Sequence, residues 1–259
     1  MSPKHVSRRR VLGALAATPL ATVVQGAPAS AESKPMTFVL VHGAWHGGWC
    51  WKKLTPLLQV AGHLVFTPTL TGLGERSHLL SPAVDLTTHI KDITAVLEYE
   101  DLHEVVLVGH SYGGMVISGV AENAGGRLAQ LVYLDAFLPE DGRAVKDYAT
   151  LSPARDDGWR VPPLGKPPRF GVTNERDVVW MEARLGDHPN KTFTEPIRLS
   201  HDNASLRRSF IQCTKAPFFT EAAERAKRQG FRSRELFAAD HDAMITQPEV
   251  LAKVLLDLL

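Results

Sequence analysis

Ser111 lies in a Gly-x-Ser-x-Gly motif that could present a nucleophilic hydroxyl. The motif directly follows the apolar run Val105–Val108 and precedes a run of helical composition, Met115–Ala124. A strand that turns sharply into a helix places such a serine on a strained backbone at the carboxyl end of a sheet. Gly109 and Gly113 lack Cβ atoms, so the strand and the helix can pass close together. The spacing predicts a nucleophile elbow, and the alternative is an ordinary Gly/Ser turn.

A serine hydroxyl is almost entirely neutral at pH 7, so it needs an adjacent base. Of the eleven histidines, His241 is the best candidate, because it follows the last predicted strand, 130 residues after Ser111, and precedes the terminal helix. An imidazole in that place can take the serine proton and return it to the leaving group. Asp240 and Asp242 flank His241 too closely to reach round its ring, and we expect them to cap a helix or to face water.

The third member of such a triad is a carboxylate that accepts the second imidazole N–H. One usual place is the loop after the predicted strand Ser209–Cys213, but residues 214–219 read Thr-Lys-Ala-Pro-Phe-Phe and contain no carboxylate. The other place is the end of the predicted strand Leu131–Leu134, where Asp135 follows. We therefore predict that Asp135 is the acid, and the alternative role for it is a helix or turn cap.

The loop formed by residues 42–49 reads His-Gly-Ala-Trp-His-Gly-Gly-Trp and follows a predicted strand. Its glycines let the backbone bend so that an N–H group points into the site. Two fixed amides aimed at a developing oxyanion are worth about 3 kcal/mol of barrier each. We predict that the N–H groups of Ala44 and Tyr112 form this oxyanion hole, and the alternative is a plain glycine-rich loop. Trp45 and His110, which adjoin Ala44 and the elbow serine in sequence, are predicted to contact the substrate.

Buried-strand patterns alternate with helical patterns along most of the chain. This alternation predicts a mostly parallel, doubly wound α/β sheet, which binds its ligands at the carboxyl ends of the strands. Ser111, Ala44 and Asp135 all fall at such ends. The predicted strands are residues 37–41, 63–67, 105–108, 131–134, 209–213 and 232–237, and the predicted helices are residues 51–61, 86–97 with Asp85 as cap, 115–124, 221–229 and a last one after Pro248.

Residues 139–208 interrupt the alternation. Prolines recur there among Asp, Arg and Gly residues, with Trp159, Phe170 and Trp180 interspersed. A long excursion inside a compact domain usually has a function. We predict a cap that is inserted after the strand ending at Asp135 and that adds apolar walls above the serine, and the alternative is a solvated surface insertion.

The amino-terminal residues 1–31 have the features of an export signal. Residues 7–12 read Ser-Arg-Arg-Arg-Val-Leu, a twin-arginine pattern, and an apolar run and Ala-x-Ala cleavage sites follow. The apolar run Val11–Val24 is shorter than the about 20 residues that span a bilayer. We therefore expect export to the periplasm or the exterior and a mature domain over residues 36–259, and the alternative is a disordered basic tail.

The composition is that of one globular domain, with 44% hydrophobic and 22% charged residues. Loss of residues 1–31 would lower the formal net charge from +1 by four, to −3. No basic patch then points to nucleic acid or to an anionic membrane, and no stable membrane insertion is expected. Cys50 and Cys213 could pair in an exported protein, but each adjoins apolar residues, so we expect free buried thiols. No Cys/His spacing indicates a metal site, and no cofactor is expected.

Three separated motifs together resemble the methylesterase and hydroxynitrile lyase branch of the α/β-hydrolases, and more closely its bacterial carboxylesterases. They are His-Gly-Ala-Trp-His-Gly-Gly-Trp-Cys-Trp at residues 42–51, Gly-His-Ser-Tyr-Gly-Gly at residues 109–114 and Asp-His-Asp-Ala-Met at residues 240–244. The similarity runs from about Met36 to the end of the chain. It implies the α/β-hydrolase fold and ester hydrolysis, with Ser111 and His241 in the triad.

The chain departs from this resemblance in two places. The plant members carry their acid just after a Cys-Thr pair, which Cys213 and Thr214 lack, whereas Tyr-Leu-Asp-Ala at residues 133–136 is similar to the placement in some dehalogenases. Hydroxynitrile lyases of the branch carry Thr where Gly43 stands and Lys where Asp242 stands. Cyanide elimination is therefore not expected.

The sequence thus predicts a serine esterase that hydrolyses small-to-medium, largely apolar carboxylic esters through an acyl-enzyme. Two alternatives stay open, namely a lyase or other non-hydrolytic enzyme on the same triad, and a binding protein that keeps the hydrolase shell. The natural ester and the oligomeric state are not determined by these patterns.

Overall fold

The structure is a computed structural model that describes residues 34–200, 205–215 and 217–259. The predicted export signal over residues 1–31 lies outside these residues. Within them, no helix has the length and apolar character needed to cross a bilayer.

Eight strands and eight α-helices are described. The strands are β1 Thr37–Val41, β2 Leu64–Phe66, β3 Val105–His110, β4 Leu128–Leu134, β5 Arg160–Val161, β6 His188–Pro189, β7 Arg207–Cys213 and β8 Arg232–Leu236. The helices are α1 Thr55–Val60, α2 Leu86–Tyr99, α3 Gly113–Ala124, α4 Glu175–Glu182, α5 Lys191–Thr194, α6 Thr220–Arg228, α7 Ala243–Thr246 and α8 Pro248–Leu256.

Six of the strands form the central sheet, in the order β2-β1-β3-β4-β7-β8. Every pairing in this sheet is parallel, and β1 and β3 pair from Thr37 with Val105 to Val41 with Gly109. All six residues of β3 are buried. A parallel strand is enclosed in this way because helices cover both faces of its sheet. The predicted mostly parallel α/β sheet is confirmed.

Most predicted helices form close to their expected bounds. The Asp85 carboxylate accepts the Thr88 N–H at 2.9 Å, so it caps α2 as predicted. The predicted helix 51–61 is wrong in its first part, because Gly48–Trp51 forms a 3₁₀ turn and α1 begins only at Thr55. Pro56 lies in the first turn of α1, the place in a helix that tolerates proline best.

The strand order reverses between β1 and β3, because β2 lies on the far side of β1 while the chain after β3 continues in the other direction. Ligands of open parallel sheets bind at such a reversal, outside the carboxyl ends of the strands. The loop after β1 contains Ala44, and the turn after β3 contains Ser111. The topology therefore brings the two predicted parts of the site to one place.

Between β4 and β7 the chain leaves the sheet and forms only short elements. Strands β5 and β6 pair with each other in a separate antiparallel ladder, and α4 and α5 flank β6 in the chain. This excursion begins after Asp135, where the sequence predicts the inserted cap. Cys50 and Cys213 are free and buried, as expected.

The elbow depends on a close approach of backbone to backbone. A Cβ atom on Gly109 would lie 2.6 Å from the Gly113 carbonyl oxygen, and one on Gly113 would lie 2.7 Å from the Val41 carbonyl oxygen. These distances are too short for any side-chain carbon, so α3 can lie this close to β3 and to β1 only with glycine at both positions.

We predict that Gly109→Ala lowers the free energy of unfolding by about 1–3 kcal/mol, because the added methyl overpacks against backbone atoms that cannot move aside. Gly126→Ala is the matched control, since a Cβ there meets nothing within 4 Å. Urea unfolding of both variants measures the difference. Equal stability of the two variants would contradict the packing argument.

Candidate active site

Ser111 occupies the turn between β3 and α3 with a φ of +54°. Such a φ is unfavourable for a residue with a side chain and persists only where surrounding contacts hold it. Here the Ser111 N–H donates to the Leu134 carbonyl at 3.2 Å, and the Ser111 carbonyl accepts N–H groups from Gly114 and Phe137 at 3.0 and 3.1 Å. The ends of β3 and β4 and the start of α3 together fix the predicted elbow.

Asp135 and His241 are in direct contact. The Asp135 Oδ2 atom lies 2.7 Å from Nδ1 of His241, and Asp135 Oδ1 accepts the Cys213 N–H at 3.2 Å. Asp135 is fully buried at the end of β4, with a φ of +41°, and its own N–H donates to the Ile211 carbonyl at 2.7 Å. The structure thus joins the two residues that the sequence proposes as acid and base.

The electrostatics of this pair fix the orientation of the imidazole. Burial raises the pKa of the Asp135 carboxyl above its ordinary value, and the hydrogen bond from His241 offsets part of that rise. A carboxylate at this position accepts a hydrogen bond from the Nδ1–H group, which leaves Nε2 of His241 as the nitrogen available to a substrate or nucleophile. Asp135 therefore selects one tautomer of the ring.

Ser111 and His241 line the same cavity. The Ser111 hydroxyl makes no hydrogen bond to the parts of the chain that the structure describes. Contacts of this kind are often long until a substrate is bound, when they tighten. The hydroxyl is thus free to rotate towards either an ester carbon or the imidazole.

Two backbone amides face no protein acceptor at this site. Within residues 34–200, 205–215 and 217–259, neither the N–H of Ala44 nor that of Tyr112 makes a hydrogen bond. The loop after β1 lies against the elbow, since a Cβ on Gly43 would be 3.0 Å from the Ser111 Cβ. Unpaired N–H groups beside a candidate nucleophile suit the stabilisation of an oxyanion.

Neighbouring bonds hold the Ala44 peptide in place. The Trp45 N–H donates to Nδ1 of His188 in β6 at 3.2 Å, and the Ala44 carbonyl accepts a hydrogen bond from Nδ1 of His46 at 2.7 Å. The Trp45 indole N–H donates to the Val161 carbonyl at 3.1 Å, and Trp45 has a φ of +64°. Strands β5 and β6, in the segment predicted to be a cap, therefore support the loop that carries Ala44.

The cavity has a volume of about 160 Å³ and a mainly aromatic and aliphatic wall. Trp45 and His110 both line it, although the His110 side chain has no exposed surface. Of the three aromatic residues noted in the excursion, only Phe170 lines the cavity, and Trp180 packs instead against Trp49. The remaining apolar lining includes Phe137, Leu138, Val145, Tyr148, Leu151, Leu164, Phe193, Phe218 and Phe219.

The prediction that Asp242 caps a helix or faces water is wrong, because its side chain is fully buried and makes no cap hydrogen bond. Its carboxylate lies 3.2 Å from Nε2 of His46 and 3.6 Å from Nε2 of His110. Asp240 instead forms an ion pair with Lys215 at 2.6 Å. Sequence reasoning missed the role of Asp242 because nothing near it in the chain indicates that His46 packs beside it.

Ligand atoms of His110, His241 and Asp242 lie within 4.8 Å of one another, close enough for a metal ion. His110 uses Nε2 in a hydrogen bond to the His241 carbonyl at 3.1 Å, and His241 uses Nδ1 in its bond to Asp135. A metal ion bound through Nε2 of His110 would have to compete with the first of these bonds, and one bound through Nδ1 of His241 would have to break the second. The geometry therefore favours a hydrogen-bonded network.

Comparison with known proteins supports this assignment of the fold. A model of the alpha/beta hydrolase family matches residues 38–254. The chain belongs to the α/β-hydrolase family. It is similar to a carbendazim hydrolyzing esterase of Nocardioides sp., with 37% identity over 238 residues that cover 84% of this chain and 97% of that protein.

More distant relatives come from plants and bacteria. Salicylic acid-binding protein 2 of Nicotiana tabacum is 28% identical over 85% of this chain and 96% of its own. The solved structure of an extracellular alpha/beta-hydrolase from a Paenibacillus species superposes with a TM-score of 0.73 and 25% identity, covering 86% of this chain and 99% of that one. The methylesterase MES16 from Arabidopsis superposes with a TM-score of 0.72 and 26% identity, covering 86% and 98%. Family membership and the esterase names of these relatives support carboxylic ester hydrolysis as the reaction class.

Several histidines around this site are buried and neutral. Burial lowers the pKa of His42 to about 3 and that of His89 to about 4, and it holds those of His110 and His188 well below the ordinary 6.5. The partners agree with neutral rings, because His42 accepts the Leu70 N–H on Nε2. An unfolded chain would protonate all four rings at mildly acidic pH.

We predict that stability falls as the pH is lowered below about 6.5. Each histidine with a depressed pKa takes up a proton in the unfolded chain at a higher pH than in the folded protein. Below about pH 6.5, each such histidine therefore removes about 1.4 kcal/mol of unfolding free energy per pH unit. His46 acts in the opposite sense, because its pKa is raised. Urea unfolding between pH 7.5 and 5 should show a smaller slope of the unfolding free energy against pH in His89→Gln than in wild type, with His78→Gln, at an exposed site, as the control. An equal slope in His89→Gln would contradict the prediction.

Proposed function

We propose that the protein is a serine carboxylesterase in which Ser111 is the nucleophile, His241 the general base and Asp135 the acid that orients the base. The observation that carries the proposal is the 2.7 Å hydrogen bond between Asp135 and His241, in a cavity that Ser111 also lines. A buried carboxylate, an imidazole and a serine on a strained turn are the parts that acyl transfer requires.

The reaction proceeds in two halves. As the Ser111 oxygen bonds to the ester carbonyl carbon, His241 Nε2 takes the hydroxyl proton, and the carbonyl electron pair moves onto its oxygen. The amides of Ala44 and Tyr112 hold that oxyanion. The carbon–oxygen bond to the alcohol then breaks, and His241 donates its proton to the departing alkoxide. Water repeats the sequence on the acyl-enzyme and releases the acid.

The cavity supports a small-to-medium, largely apolar ester as substrate. A volume of about 160 Å³ admits a compact molecule, and the aromatic walls bind apolar groups by burial. Phe218 and Phe219 lie beside the His241 ring, with centroids 5.3 and 5.6 Å away, so they limit the space around the leaving group. Trp45 and Phe170, which are in contact with each other, also line the cavity.

We also propose that residues 1–31 direct export by a twin-arginine route. The support is the Ser-Arg-Arg-Arg-Val-Leu sequence followed by a short apolar run and alanine cleavage sites. Fractionation of cells that express the full chain, compared with a variant in which Arg8 and Arg9 are both lysine, tests this. Retention of the wild type inside the cell would overturn the proposal.

Ser111→Ala is expected to abolish hydrolysis of a short-chain nitrophenyl ester, with a loss of about 10⁶-fold in kcat, because no other group attacks the carbonyl. An organophosphonate should label wild type once per chain, at Ser111, and should not label the variant. Ser118→Ala is the control, since Ser118 is buried in α3 and bonded to the Gly114 carbonyl at 2.7 Å. Undiminished turnover in Ser111→Ala would overturn the mechanism, and cyanide release from a cyanohydrin would point to a lyase.

Asp135→Asn is expected to lower kcat by about 10³- to 10⁴-fold, because an amide at this place favours the wrong imidazole tautomer. Asp240→Asn is a matched control: it also removes a carboxylate next to His241 in sequence, but one that pairs with Lys215. Rates of nitrophenyl ester hydrolysis give the comparison. Nearly full activity in Asp135→Asn, or equal losses in both variants, would show that Asp135 is not the acid.

A further inference from the structure

A second cluster of polar side chains adjoins His241 and takes no part in the proposed reaction steps. Its centre is Asp242, a fully buried aspartate next to the proposed base. A buried carboxylate is costly unless it is paired and hydrogen-bonded. The contacts of Asp242 therefore indicate what this residue does.

His46 is the partner of Asp242 and carries a positive charge. Its Nε2 lies 3.2 Å from Asp242 Oδ2, and its Nδ1 lies 2.7 Å from the Ala44 carbonyl oxygen. Neither a carbonyl oxygen nor an ionised carboxylate can donate a proton, so both ring nitrogens must do so. Burial alone would lower the pKa of His46, but the Asp242 carboxylate outweighs it and the pKa is raised.

The cluster connects the three segments that form the site. His46 bonds to the carbonyl of Ala44, whose amide is the proposed oxyanion donor. His110 precedes Ser111 and donates from Nε2 to the His241 carbonyl at 3.1 Å, with Asp242 Oδ1 at 3.6 Å from the same nitrogen. The Asp242 N–H also donates to the Phe170 carbonyl at 3.1 Å, in the cap.

We propose that the His46–Asp242 ion pair is a positioning device that holds the Ala44 amide, the elbow and the His241 loop in register for catalysis. The pair acts through the Ala44 carbonyl on one side and through the backbone of the His241 loop on the other. This inference rests on the proposed function, because the groups that it positions are the oxyanion amide, the nucleophile and the base of that mechanism.

The test compares Asp242→Asn, His46→Ala, His46→Gln and the double variant Asp242→Asn with His46→Ala. Hydrolysis of a short-chain nitrophenyl ester is measured per active site, counted by stoichiometric organophosphonate labelling, so that unfolded chains do not contribute. Tyr133→Phe is the matched control. It removes a buried hydroxyl that bonds to Ser118 at 2.8 Å and is not part of the His46–Asp242 cluster.

The kcat of Asp242→Asn and of His46→Ala should fall about 10- to 100-fold, since small misplacements of reacting groups are costly. KM of Asp242→Asn should change by less than about threefold, because Asp242 does not line the cavity. His46→Gln should recover part of the loss, because its amide can still donate to the carboxylate. The double variant should be no slower than the slower single variant, as expected of residues that act as a unit. Tyr133→Phe should keep the wild-type kcat.

The inference is overturned if labelled Asp242→Asn or His46→Ala has a kcat within about twofold of wild type. It is also overturned if the kcat loss of the double variant equals the product of the two single losses. If Asp242→Asn does not fold, the comparison of His46→Ala with His46→Gln decides by the same criteria. Failure of the organophosphonate to label wild type would overturn the proposed function and this inference together. A labelled wild type with fully active variants would overturn the inference alone.

Discussion

The hydrogen bond between Asp135 and His241 joins two segments that are 106 residues apart in the chain. It places a carboxylate in the protein interior, where an unpaired charge would be strongly unfavourable. Two donors satisfy that carboxylate, namely the imidazole and the Cys213 N–H. Parallel pairing of β4 with β7 and of β7 with β8 is what brings these donors to one edge of the sheet. The site therefore depends on the sheet being complete.

Three of the six non-glycine residues with a positive φ, among those the structure describes, lie where the chemistry is proposed. Ser111, Asp135 and Trp45 each have a positive φ although each carries a side chain. Such conformations cost about 1–3 kcal/mol apiece and survive only where neighbouring structure holds them. Here, strand ends hold the first two, and the cap holds the third through His188 and Val161. The predicted cap thus contacts the loop that carries the proposed oxyanion amide and also contributes to the cavity wall.

The histidines around the cavity differ in charge because their hydrogen-bond partners differ. His42 accepts one N–H and donates to one carbonyl, which a neutral ring can do. His46 lies between a carbonyl and a carboxylate, which only a protonated ring can satisfy. A buried network of this kind is stable only when every member has the right proton. It therefore couples the shape of the site to its protonation state.

Local signals in the sequence were sufficient for the elements and for most of the site. The elbow could be predicted because glycine spacing, an apolar strand and a helix occur within twenty residues. The helix cap at Asp85 could be predicted because capping is a short-range interaction. Asp135 could be chosen over the usual alternative because residues 214–219 contain no carboxylate. Each of these inferences needs only neighbours along the chain or the rule that parallel strands end at one edge.

The tertiary structure alone decided the environment of Asp242 and the composition of the cavity wall. An aspartate beside a loop histidine normally faces water, and this one is buried because His46, 196 residues away, packs against it. Of the aromatic residues in the cap, Phe170 faces the cavity while Trp180 packs against Trp49, a choice that no periodic pattern encodes. Composition and spacing determine which elements form, whereas burial and pairing depend on contacts between segments that are distant in sequence.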